Sequence, residues 1–156
     1  MLRRTLLATA LAAAFVTSAS AATADFTAKL SGHSEIPKTD SKGTGKLDAT
    51  FDTASKELKY TLTFDGLSGP ATPAHFHGPA TRGQSGGVIA PIGGANPTSP
   101  VSGSVTLTED QAKALRSGKI YVNVHTAADP GGEIRGQVLH VKAKKTAAVP
   151  AGTAAK

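Results

Sequence analysis

The chain has 156 residues, with 17 Lys and Arg against 11 Asp and Glu, no cysteine, no tryptophan and a single methionine, Met1. Cysteine nucleophiles and disulfides are therefore excluded, and Cu(I) and iron–sulfur sites are disfavoured for want of soft sulfur ligands. A length of this order suits one domain with its own core rather than two.

The opening stretch "MLRRTLLATALAAAFVTSASA" puts Arg3 and Arg4 before an apolar run, Leu6 to Val16, and ends on the small residues Ala19, Ser20 and Ala21. That is the pattern of a secretory signal peptide over residues 1–21, cleaved after Ala21. The run is shorter than the roughly 20 apolar residues that span a bilayer, and no other segment is apolar enough to cross one. The expected location is periplasmic or secreted. Loss of Arg3 and Arg4 lowers the formal charge from +6 to +4. Most of the remaining excess lies in residues 142–156, "KAKKTAAVPAGTAAK", which reads as a disordered, solubilising tail. Lys142, Lys144 and Lys145 could alternatively touch an anionic surface. The body between, residues 22–141, is nearly balanced. No basic stripe with interleaved aromatics appears, which argues against nucleic acid as a partner and leaves an extracytoplasmic ligand or protein.

The apolar residues of the body alternate. "DFTAKL" sets Phe26, Ala28 and Leu30 on one side, and "KLDATFD" does the same with Leu47, Ala49 and Phe51. In "ELKYTLTFDGL", Leu58, Tyr60, Leu62 and Phe64 alternate with Lys59, Thr61 and Thr63. "VSGSVTL", "KIYVNVHT" and "EIRGQVLHV" continue the series. A period of two over many short runs means half-buried antiparallel strands, and the turn-formers "DSKGTG", "DTASKE", "DGLSGP" and "DPGGE" separate them. One helical signal interrupts them, in "LTEDQAKALRSGK". Thr108 and Gln111 fit a capping box, Glu109 and Asp110 suit the first turn, Ala112 and Leu115 share a face, and Gly118 is a stop. Residues 78–100 read as one long Gly- and Pro-rich loop, with Val88, Ile89 and Ile92 as its few apolar members. About seven strands at this spacing predict an all-β fold, an antiparallel Greek-key, immunoglobulin-like β-sandwich or barrel with one short helix.

"PAHFHGPA", residues 73–80, places His75 and His77 on one face of a strand with Phe76 turned to the other. Chance supplies roughly one such pair in six chains of this composition, so the spacing alone does not separate a metal site from two hydrogen-bonded histidines. His125 is the third candidate, opposite Val122 and Val124 at the end of "YVNVHT". The next strand carries Glu133 and Arg135. Glu133 reads as a carboxylate that orients a ligating imidazole, Arg135 as an anion anchor, and both together as a plain surface ion pair. His33 and His140 read as surface or edge residues, and Glu35 as a possible oxygen ligand. A ligand set of nitrogen and oxygen suits Zn(II), Cu(II) or Ni(II). No nucleophile elbow and no dinucleotide fingerprint is present.

The ordered stretches "FTAKLSGHSEIPK", "AHFHGPA", "LRSGKIYVNVHT" and "PGGEIRGQV" resemble the CHRD domain, named for the extracellular regulator chordin and found in many exported microbial proteins. The resemblance runs from Asp25 to Val141. The family's opening motif usually reads E-x-P-P, where this chain has "EIPK". The resemblance implies an antiparallel β-sandwich, distantly like that of copper/zinc superoxide dismutase. Five histidines and no cysteine are too few for that enzyme's two-metal site and disulfide, so a complete two-metal dismutase is excluded. One Cu(II) or Zn(II) ion on His75, His77 and His125, supported by Glu133, Arg135 and Glu35, is not. Three readings follow: an exported binding module with a histidine-based polar or metal site, a structural or adhesive envelope or matrix protein without metal, and a single-copper redox enzyme.

Overall fold

The computed structural model describes residues 22–142, so the signal peptide read at 1–21 and nearly all of the tail read at 142–156 lie outside the described residues. Eight strands follow in chain order: β1 (Thr23–Ser31), β2 (Thr44–Asp52), β3 (Glu57–Asp65), β4 (Ala71–His77), β5 (Val88–Ile92), β6 (Val101–Thr106), β7 (Ile120–Thr126) and β8 (Ile134–His140). Among the described residues one α-helix, α1 (Glu109–Arg116), links β6 to β7, and a short 3-10 turn, Gly32–Ser34, follows β1. The strands form one antiparallel sheet in the order β5-β4-β7-β8-β1-β2-β3-β6. The sheet coils until its edge strands β5 and β6 touch, which gives the flattened, nearly closed barrel of the expected sandwich class. Among the described residues no helix is long and apolar enough to cross a membrane.

The alternation in the sequence places the core. Phe26, Leu47, Phe51, Leu58, Leu62 and Phe76 point inward and are almost wholly buried, and Tyr60 meets Phe76 edge-to-face with centroids 5.1 Å apart. The helix closes one end through Ala112 and Leu115. Its capping box is complete, with Gln111 N–H donating to Thr108 Oγ1 and Thr108 N–H donating to Gln111 Oε1. Gly118 follows at φ +66°, the left-handed stop expected of it.

Two features depart from the sequence reading. The predicted loop 78–100 contains an eighth strand, β5, so the expected count of seven was one short. β5 pairs only with β4, and Pro91 is tolerated there because the strand lies at the edge of the sheet. The second departure is β7, whose seven residues are all buried. Ile120, Val122 and Val124 face the core. Tyr121, Asn123 and His125 face outward, but loops cover them.

Glu133 holds those loops down. Its N–H bonds the carbonyl of Val124, although the Cα partner of Val124 is Ile134. Two residues thus oppose one, the pattern of a β-bulge, and Glu133 and Ile134 are both fully buried. The carboxylate accepts from Ser41 Oγ (2.6 Å), Ser68 N–H (2.8 Å), Ser68 Oγ (2.6 Å) and Thr126 Oγ1 (2.6 Å). Burial alone would raise its pKa, but these hydrogen bonds outweigh it and hold Glu133 below its ordinary 4.5. Its contribution to stability is therefore present above pH 4.5 and is lost as pH falls through the lowered folded value. Glu133→Gln is expected to cost about 2 kcal/mol in urea unfolding at neutral pH. The deficit should shrink in acid, where the wild-type carboxyl is protonated too. A pH-independent deficit would contradict the role assigned to the ionised carboxylate.

Candidate metal centre

Strands β4, β7 and β8 lie side by side, and their register lines up one outward face. His75 is opposite Asn123, His77 opposite Tyr121, Asn123 opposite Arg135 and Tyr121 opposite Gln137. His125 continues the same face of β7 two residues beyond Asn123. The sheet thus brings His75, His77 and His125 together: one ligating atom from each can be chosen so that all lie within 4.8 Å of one another.

Two backbone carbonyls orient the rings. His77 Nδ1 lies 3.1 Å from Gly86 O, and His125 Nδ1 lies 2.9 Å from Pro130 O. A carbonyl only accepts, so both Nδ1 atoms carry the proton and both Nε2 atoms carry lone pairs. His125 Nε2 sits 3.3 Å from His75 Nδ1. His77 Nε2 is buried without a partner at hydrogen-bonding geometry, with the Asn123 side chain beside it. With metal–nitrogen bonds of about 2.0–2.1 Å, the nitrogens of a tetrahedral site are spaced about 3.3–3.4 Å apart. The His75–His125 spacing already matches. The loop that supplies the Gly86 carbonyl closes tightly. Gly78 N–H donates to Gly87 O (2.9 Å), and a Cβ on Gly86 would lie 2.9 Å from Gly78 Cα, so only glycine fits.

Burial, then the neighbouring imidazoles His125 and His77, lower the pKa of His75 below 6.5. Burial is also the main cause for His77, opposed in part by its bond to Gly86. Both rings therefore favour the neutral, lone-pair form that a metal requires.

The other candidates fall elsewhere. Glu133 is turned to Ser41, Ser68 and Thr126 and touches no imidazole, because the bulge sends it inward. The Pro130 carbonyl takes the orienting role on His125 instead. Arg135 is buried, donates to Gln84 O (2.6 Å) and lies over the Tyr121 ring at 3.5 Å. The other partner of Tyr121 is His77, parallel within 5° at 4.9 Å. Glu35 is buried between the Gly132 backbone and Arg135 and is not part of the histidine group. His33 is exposed, and exposed His140 packs edge-on against Phe26. The sequence reading missed Tyr121 and Asn123 as site residues, although the alternation of "YVNVHT" puts both on the face of His125.

A family model, the CHRD domain, matches residues 26–138. The chain belongs to the CHRD domain family. No curated protein and no solved structure matches it.

Glu35 generates a prediction of its own. Burial raises its pKa from 4.5 to about 7, against the pull of Arg135 and with a small push from Asp129. Its Oε1 is buried without a partner. A raised folded value means that its stabilising contribution is full below pH 4.5 and is lost as pH rises through about 7. Glu35→Gln removes the buried ionisation. Relative to wild type, the variant should gain stability across that interval, by an amount on the order of 2 kcal/mol. Parallel pH profiles in thermal unfolding would show that Glu35 titrates normally.

Proposed function

We propose that this CHRD domain is an exported binding module that holds one divalent transition-metal ion, Cu(II) or Zn(II), through His75, His77 and His125. The observation that carries the reading is the buried, unpartnered Nε2 of His77, a lone pair left by the Gly86 bond and close to two further ring nitrogens. A buried acceptor without a donor costs roughly 1–3 kcal/mol, and a cation at that point removes the cost. The ligands in this reading are His75 Nδ1, His77 Nε2 and His125 Nε2. Three protein ligands leave a fourth position open to water or to a partner. Glu133 acts in this reading as a structural clip beneath the site. Arg135 and Tyr121 hold the plane of His77.

Titration calorimetry with Cu(II) and with Zn(II) at about pH 7.5 tests the metal. Binding at one ion per chain with micromolar or tighter affinity is expected, weakened at least about a hundredfold in His77→Ala. Absence of heat with both ions would favour a structural role, in which the histidines only fasten loops. Export is tested separately: mass spectrometry of the protein recovered from the periplasm or medium should find Ala22 as the first residue. A retained Met1 would refute cleavage after Ala21.

A further inference from the structure

A groove of about 890 Å³ runs beside the histidine site, over the outward faces of β1 and β8. Its floor carries Lys29, Arg135, Gln137 and Leu139. One wall is the segment Ile36–Lys38 with Glu35 behind it, and Arg82 stands on the other. Charge is unevenly placed there. Six of the 17 cations lie outside residues 22–141, so that stretch carries eleven charges of each sign. Four of those cations, Lys29, Lys38, Arg82 and Arg135, line this one groove, against one carboxyl group, Glu35.

Arg135 is the telling member. Its side chain is 3% exposed, yet among the described residues no carboxylate forms an ion pair with it. Its contacts are the Gln84 carbonyl and the face of Tyr121. Glu35 acts on it only at longer range, so the buried guanidinium has no directly bonded counter-ion, and its planar fork suits a carboxylate or phosphate. The groove is also apolar in part. Ile36 and Leu139 are two of the four large apolar side chains left exposed among the described residues.

We infer that this groove is a binding site for a small organic anion, a carboxylate or phosphate head with an apolar body. The head meets Arg135 on the floor, flanked by Lys29, Lys38 and Arg82. The body lies along Ile36, Pro37 and Leu139. The imidazoles of His75, His77 and His125 do not line the groove, so the site stands or falls apart from the metal.

The test uses the metal-free mature protein in excess EDTA, with octanoate, octyl phosphate and neutral octanol as probes, followed by calorimetry. Binding of at least one anion, with octanol much weaker, is expected. The double variant Lys38→Glu/Arg82→Glu should weaken it roughly tenfold. Both side chains are exposed, so the variant keeps its fold. The control Lys46→Glu/Lys59→Glu makes the same charge change away from the groove and should leave affinity unchanged. Failure of both anions to bind, equal binding of octanol, or equal effects of the two variants would overturn the assignment.

Discussion

Strand β7 has no solvent face, so its polar side chains depend on partners inside the protein, and only Asn123 Oδ1 is left buried without one. That requirement organises the whole side of the molecule that bears the histidines. Outward-facing Tyr121, Asn123 and His125 are covered by the chain that follows β4 and by the turn between β7 and β8. The covering segments supply backbone carbonyls, and those carbonyls decide which ring nitrogens are protonated. A strand with one wet face would leave His77 and His125 free to rotate and to exchange tautomers with water.

The cover stays in place through a few concentrated contacts. Glu133 ties the segment after β1, the segment after β3 and the end of β7 to one carboxylate. Gln137 does the same at the other end of the face, donating to Ala80 O and Gly118 O at 2.9 and 2.7 Å. Both are side chains of the β8 region, and both use buried groups whose loss leaves polar atoms stranded. In a chain without disulfides, such hubs replace covalent staples as the means of fixing long Gly- and Pro-rich connections.

Much of this was legible in the sequence where side chains carry it. The alternation of Leu58, Tyr60 and Leu62 gave the core face of β3, and Thr108 with Gln111 gave the start of the helix. The i, i+2 spacing of His75 and His77, and the place of His125 opposite Val122 and Val124, gave the three rings that the sheet brings together. What stayed hidden depends on backbone. β5 is a five-residue run, "VIAPI", with a proline inside it and a Gly- and Pro-rich stretch on either side, and its pairing with β4 comes from tertiary context. The bulge at Glu133 breaks the period of two on which its expected orientation rested, and only the neighbouring glycines hint at it. The carbonyls of Gly86 and Pro130 have no side-chain signature at all.

The three-layer stack of Arg135, Tyr121 and His77 runs from the groove to the histidine group. Stacking fixes the plane of the His77 ring, while the Gly86 carbonyl fixes its rotation within that plane. Arg135 closes the far side of Tyr121 and is one of the residues that line the groove. Placing the cation there keeps its positive charge a full ring away from the imidazoles, whose lone pairs a nearer guanidinium would polarise unfavourably for metal binding. The aromatic ring between them thus does two things at once. Its π face offsets part of the cost of burying Arg135, and its body separates that cation from the histidine rings.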